Sequence, residues 1–230
     1  GRLTLGLGAG LARPIVRPGI DNAQTRAALS DGVAIVRGLL GGERLTYRGQ
    51  AFSVEGAKLD VAPLRASLPI LLAADVPDAL ALSGDIADGL IVDGLRPAGF
   101  AAHAASIARP KRLVHFAPCA VGTDRAAAMA VMKPVLAALL RQHWQDTQDD
   151  PVLRAALVHH SGIPAGDFSI AVASNEPDER FFEAFTVTGD AADCRRRADA
   201  FREAGVTDLA VTFVGPNPIH DMAFLHRAVG

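Results

Sequence analysis

The sequence predicts an α/β fold built on a parallel sheet, and three observations carry that reading. Short apolar runs bounded by glycine or proline recur along the chain. Segments whose apolar residues fall at helical spacing separate them. At 230 residues the chain is long enough for a sizeable core, and we read residues 1–230 as one domain. Strands and helices that alternate in this way need crossover connections, which are right-handed.

Leu3, Leu5 and Leu7 alternate with Thr4 and Gly6, a short strand that runs into Gly8 and Gly10. Pro14, Pro18 and Gly19 make the next stretch a loop. From Gln24 to Leu40, Ala28, Val33, Val36, Leu39 and Leu40 lie near helical spacing, and Gly41-Gly42 supplies a stop. "ERLTYRGQAFSVEG" reads as a hairpin that turns at Arg48-Gly49. A buried strand over Pro69–Ala74 breaks at Asp75, and a helix restarts with Pro77 in its first turn. Further apolar strands lie in "IADGLIVDGLRP", "RLVHFAPCAVG" and "TDLAVTFVGPNP", with helices such as "PAGFAAHAASIAR" and "DAADCRRRADAFREAG" between them. The segment from Lys133 to Ile163 reads as long helix and connector. That makes five parallel strands, and a closed eight-stranded barrel needs three more.

Half the residues are hydrophobic, 21% are charged, and the formal net charge is −2, the composition of an ordinary soluble protein. Charge is nearly balanced, aromatic residues are few, and no basic stripe alternates with stacking side chains, which argues against nucleic acid as a partner. No apolar run reaches the roughly 18 residues of a membrane span, so no membrane partner is expected. Cys119 and Cys194 stand far apart with no CxxC or His-rich companion. Neither a metal site nor a disulfide framework is legible, and a reducing cytoplasm is the simplest home.

The glycine cluster "GLGAG" raises the question of a dinucleotide fingerprint. Its spacing puts Leu11 where the third fingerprint glycine belongs, and Pro14 and Pro18 block an uninterrupted helix after it. Two readings of the cluster stand. Gly6 packs closely on a helix while Gly8 and Gly10 make a turn, or small residues at a strand's carboxyl end let a flat ring system approach the backbone.

Four stretches, "GRLTLGLGAG", "GERLTYRGQAFSVEGAKLD", "LPILLAADVPDALALSGDIADGLIVDG" and "FTVTGDAADCRRRADAFREAGVTDLAV", resemble in order and spacing the luciferase-like monooxygenase superfamily. Within it they are most similar to the deazaflavin-dependent branch related to methylenetetrahydromethanopterin reductase. The resemblance implies a TIM (β/α)8 barrel of the bacterial luciferase type, with "GRLTLGLGAG" as strand four and this chain holding strands 4 to 8. On that expectation the chain, which opens on Gly1 rather than Met, is the carboxyl-terminal portion of a longer protein. The resemblance further implies F420 or FMN at the carboxyl end of the barrel, a small-molecule substrate and a homodimer. Gly8, Ala9 and Gly10 would flank the ring, Ala73 and Ala74 would line its pocket, and the turn carrying Asp75, Val76 and Asp78 would meet a phosphate.

The turn departs from the family pattern, because Asp75 and Asp78 bring two carboxylates towards the anion and Val76 stands where glycine is usual. On the residues alone, Asp75 reads as a helix N-cap and Asp78 as a complement to the helix dipole. Leu11 stands where sugar-phosphate-oxidising members carry a glutamate proton donor, which puts that chemistry in doubt.

Arg96, Arg13 and Arg17 follow strands at the presumed active face, where each would meet an anionic substrate or the cofactor tail, or else be a solvated loop arginine; Arg96 is the candidate to test for an anionic substrate. His115 within "RLVHFAPC" reads as a satisfied buried group rather than a catalyst. Cys119 reads as a small buried hydrophobe and "CRRRADAFRE" as a solvated surface. His159 and His160 are expected to face different directions, against a shared metal. Three functions remain open: hydride transfer between F420 or FMN and a small organic substrate, an FMN-dependent monooxygenase using reduced flavin and oxygen, and a catalytically silent flavin-binding or dimer-forming subunit.

Overall fold

The computed structural model describes residues 3–10, 25–61, 64–65, 67–148 and 150–230. Contacts divide the chain into two compact units, Gly1–Ile91 with Ile107–Arg112, and Val92–Ser106 with Leu113–Gly230.

In the first unit β1 (Leu5–Gly8) is followed by α1 (Thr25–Leu40), β2 (Leu45–Arg48), β3 (Ser53–Ala57), β4 (Ile70–Ala73), α2 (Pro77–Ile86) and β5 (Gly89–Val92). Strands β1, β4 and β5 run parallel, with Gly6 beside Leu71, Gly8 beside Ala73 and Ala73 beside Ile91. Side chains alternate across a strand, so Leu7, Ile70 and Leu72 share one face. They pack there with Leu29 and Val33 of α1 and Leu82 of α2. Each such buried side chain contributes about 1.5–3 kcal/mol of transfer free energy, which is why the helices sit on this face. The opposite face carries Gly6, Gly8, Leu71, Ala73, Gly89 and Ile91.

At the amino end of these strands Asp88 fixes the register. Its carboxylate accepts the Ile70 N–H at 2.9 Å and Arg37 at 3.0 Å, and its own N–H donates to the Ile70 carbonyl at 2.8 Å. The Ile70 N–H, with help from Arg37, holds the Asp88 carboxyl below its ordinary pKa.

The hairpin forms as predicted but turns over Gly49–Phe52, where the Gly49 N–H donates to the Phe52 carbonyl at 3.0 Å. It docks on Asp31, a nearly fully buried carboxylate on α1 that sequence reasoning missed. Asp31 accepts the Tyr47 hydroxyl at 2.8 Å and the N–H groups of Ala51 and Phe52 at 2.7 and 2.9 Å. These bonds, the one from Phe52 foremost, pull its pKa down. A Cβ on Gly49 would overlap that carboxylate, so the turn glycine and the buried acid require one another.

The second unit contains α3 (Ala98–Ala108), β6 (Leu113–Val121), α4 (Arg125–Asp146), α5 (Pro151–Ser161), α6 (Ala165–Ser174), α7 (Glu179–Phe185), β7 (Val187–Gly189), α8 (Ala191–Glu203), β8 (Asp208–Phe213) and α9 (Pro218–Val229). Strand β6 pairs in parallel with β8 from Val114 to Cys119 and with β7 from Cys119 to Val121. β7 adds a parallel strand to the five read from sequence. It has three residues, all buried, and is too short for periodicity to register.

The predicted helix and connector over Lys133–Ile163 are α4 and α5, joined at a break where Asp150 caps α5 through the Val152 and Leu153 N–H groups. Trp144 of α4 stacks on Phe168 of α6 at a ring separation of 5.0 Å, and Phe181 of α7 meets Phe168 edge-on at 5.1 Å. That aromatic contact forms the centre of the four-helix core.

Candidate active site

The second face of β1, β4 and β5 is partly exposed among the described residues and is the first element of the site. Gly6 and Gly8 are exposed there, and Ala73 and Ile91 are half-buried. A Cβ on Gly6 would lie 2.9 Å from Ile91 Cδ1, and one on Gly8 would lie 3.1 Å from Ala73 Cβ. A side chain at Gly6 would make the end of Ile91 move, and one at Gly8 would crowd Ala73. The result is a shallow shelf of backbone and methyl groups at the carboxyl ends of β1 and β4. Ala9 turns the other way, and its methyl packs against the core formed by Leu29, Val33 and Ile70. Gly10 then leaves the strand with φ of 76°, a left-handed conformation that favours glycine.

The second element is the turn from β4 into α2. Ala74 lies at its start, and its N–H is taken by the Ile91 carbonyl at 3.3 Å. The expected N-cap moves by one residue. Val76, not Asp75, occupies that position with φ of −107° and ψ of 149°, and no side chain caps the helix. Pro77 at the next position explains the shift, because it disfavours helical backbone at the residue before it and so holds Val76 extended. A valine cannot accept a hydrogen bond, so the N-cap residue itself satisfies none of the first-turn amides of α2. Asp78 lies in that first turn, where its charge complements the dipole, and its carbonyl accepts Arg26 of α1 at 3.2 Å. Arg26 thus brings a guanidinium to the head of α2. The sequence carried a signal for it: a cation in the first turn of α1 opposes that helix's own dipole and calls for another reason to be there.

The second unit carries its own candidate, in the loop after β5. Arg96 is 8% exposed, and its guanidinium lies 5.4 Å from the centre of the Phe100 ring. The loop turns at Gly94, where φ is 77° and the Arg96 N–H donates to the Gly94 carbonyl at 2.9 Å. A buried histidine, His115, and a half-buried one, His143, hold it. The Leu95 N–H donates to His143 Nε2 at 3.1 Å, and His115 Nε2–H donates to the Arg96 carbonyl at 3.0 Å. His115 is therefore only half-satisfied, since its Nδ1 is buried without a hydrogen-bond partner.

Arg13, Arg17 and Leu11 lie outside the described residues. Cys119 and Cys194 are fully buried free thiols, and burial raises both pKa values, Cys194 to about 11, so neither is a ready nucleophile. In "CRRRADAFRE" the solvated reading fails at Arg197, which is half-buried over the Phe201 ring at 5.4 Å. The rings of His159 and His160 do meet, at 4.9 Å, with His103 a further 4.8 Å from His160, because side chains of this length close the angle between adjacent helical positions. Among the described residues no group of three or more His, Cys, Asp or Glu could hold a metal ion, and no helix is long and apolar enough to cross a membrane.

Comparison with known proteins gives this geometry a context. Residues 1–208 match the sequence profile of a family described as luciferase-like monooxygenase. The 5,10-methylenetetrahydromethanopterin reductase of Methanolobus tindarius is 28% identical over 232 residues, which span 94% of this chain and 70% of that protein. Among solved structures, the coenzyme F420 dependent tetrahydromethanopterin reductase from Methanopyrus kandleri superposes on the whole of this chain and 74% of its own, with a TM-score of 0.77 and 19% identity. An F420-dependent secondary alcohol dehydrogenase, crystallised with an F420-acetone adduct, covers the whole chain at a TM-score of 0.69 and 16% identity. At such identities the structures speak for the fold, which is the luciferase-like barrel type.

Proposed function

We propose that this chain, which belongs to the luciferase-like monooxygenase family, is an oxidoreductase that passes a hydride between coenzyme F420 and a small organic substrate. The observation that carries the reading is the bare shelf at Gly6, Gly8 and Ala73 beside an uncapped helix head. The likeness to an F420 dependent reductase and an F420-dependent dehydrogenase favours the deazaflavin over FMN.

The residues present fit such a group. Gly8, Gly10 and Ala73 would hold its ring, with Ala9 and Ala74 contributing backbone rather than side chain. The turn at Asp75, Val76 and Asp78 would meet the anionic tail through the first-turn amides of α2, with Arg26 as the cation that balances the two carboxylates. The cofactor supplies the hydride chemistry when bound. The chain's own work is to orient the ring, exclude water through the apolar lining of Ala73 and Ile91, and present the substrate. Arg96 is the proposed contact for an anionic substrate, and assembly as a homodimer belongs to the same reading.

Titration with F420 and with FMN, followed by absorbance and fluorescence, tests the proposal. Micromolar binding of F420 with no comparable binding of FMN is expected. Preference for FMN would move the protein to the reduced-flavin monooxygenases. Binding of F420 without turnover on any alcohol, aldehyde or pterin substrate would make it a silent subunit, and binding of neither would end the redox reading.

A further inference from the structure

The loop between β5 and α3 is gripped from both sides by side chains whose hydrogen-bonding roles are fixed by what they touch. His143, on α4, receives the Leu95 N–H on Nε2 at 3.1 Å and gives Nδ1–H to the Leu139 carbonyl at 3.0 Å. An amide can only donate and a carbonyl can only accept, so His143 is the neutral Nδ1–H tautomer. His115, on β6, faces a carbonyl with Nε2 at 3.0 Å and is the opposite tautomer. Gly94 completes the fit, because a Cβ there would come within 2.8 Å of His143 Nε2. One histidine thus accepts from the backbone of the loop and the other donates to it, at consecutive residues.

We propose that His143 and His115 form a proton-sensitive clamp that fixes the backbone of this loop and thereby positions Arg96. Protonation of His143 turns Nε2 into a donor facing another donor, the Leu95 N–H, so the charged ring cannot keep the bond. His115 keeps its own bond when charged, because Nε2–H remains a donor, and its ring lies tilted against Phe201 with centres 4.4 Å apart. His143 is the moving part and His115 the fixed one.

The charged groups around the two rings agree. Burial foremost lowers the His143 pKa, Arg96 of the loop lowers it further, and the Leu139 carbonyl, Asp146 of α4 and Asp93 of the loop oppose them. His115 is lowered to about 4, again mainly by burial, with Arg197 of α8 adding to that and the Arg96 carbonyl and Asp93 opposing. The folded state therefore favours neutral His143. Its contribution is complete above the ordinary histidine pKa of 6.5 and is lost as the pH falls below that value.

The clamp acts on Arg96 and not on the cofactor shelf, so it stands or falls apart from F420 binding. It is tested by amide exchange and imidazole nitrogen spectra of the whole chain, in wild type, His143→Gln and His143→Phe. The spectra should report opposite neutral tautomers for the two histidines. In the wild type, Leu95 amide protection should fall several-fold, up to about tenfold, after correction for intrinsic exchange, between about pH 7.5 and about pH 5.5. His143→Gln, whose amide oxygen accepts at any pH, should keep the protection at both. His143→Phe should lack it at both while β6 amides stay protected, which separates loss of the clamp from loss of the fold. An Nε2–H tautomer at His143, or Leu95 exchange that does not distinguish the three proteins, would overturn the assignment.

Discussion

The turn from β7 into α8 is closed twice by side chains, whereas the turn from β4 into α2 has no side-chain cap. At α8, Asp190 accepts the Ala192 and Asp193 N–H groups, and Asp193 reaches back to the Asp190 N–H in a capping box. Asp193 is also held by Arg125 at 3.0 Å and Arg196 at 2.7 Å. At α2 the corresponding position is Val76, Pro77 follows it, and the nearby cation, Arg26, reaches a carbonyl rather than a carboxylate. Both are strand–turn–helix junctions of the same chain, and they differ in whether the N-cap side chain satisfies the first donors. A helix head whose donors are satisfied internally serves stability, and one whose amides lack a side-chain acceptor is available to an external anion.

Substitutions can break this contrast. Gly8→Leu should abolish the shelf: F420 affinity should fall by about a hundredfold, which equals about 2.7 kcal/mol, while thermal stability falls by less, through the close contact of the new Cβ with Ala73. Equilibrium binding set beside a melting curve checks both halves. Asp193→Ala should do the reverse, with a loss of about 2 kcal/mol of stability from the capping box and both arginine contacts, read by urea unfolding, and little change in cofactor affinity. The sharper test exchanges the two heads. Val76→Asp installs the missing cap and should stabilise α2 by about 1 kcal/mol while weakening the binding of an anionic cofactor; Asp190→Ala should destabilise α8 by a similar amount with binding intact. A Val76→Asp protein that binds F420 as well as wild type would remove the α2 head from the proposed site. Arg26→Ala should have the smallest effect, a few-fold loss of affinity that fades as salt is raised.

Acid should distinguish structural carboxylates of the first unit from its open site. The pKa of Asp31 lies below its unfolded value of 3.8, through the Phe52 N–H first and then Ala51 and Tyr47. A depressed carboxylate contributes stability that is complete above the unfolded value and declines as the pH falls through the folded one. Hairpin amides at Ala51 and Phe52 should therefore lose exchange protection on acidification below about pH 4 in the wild type, and Asp31→Asn should weaken them already at neutral pH.

What could be read from the linear chain was local. Alternation and apolar runs placed β1, β4, β5, β6 and β8, and proline and glycine set the ends of α1 and α2. The glycines of "GLGAG" and the small residues of "LLAAD" were visible as candidates because their lack of side chains is itself the signal. The N-cap of α2 was off by one residue because acidic character suggested Asp75, whereas proline sterics decided for Val76.

Partners distant in sequence were beyond such reading. Asp31 and its hairpin amides, Arg26 and the Asp78 carbonyl, and His143 and the Leu95 N–H are each brought together only when the elements pack. A hydrogen bond records direction and distance in space, which composition and periodicity do not contain. The sequence by itself determined the strand and helix types and the bare glycines of the shelf, because backbone sterics and apolar spacing act over a few residues. The tertiary structure alone decided which face of β1, β4 and β5 stays open, which helix head lacks a cap, and which tautomer each loop-bound histidine holds, because those depend on neighbours supplied by folding.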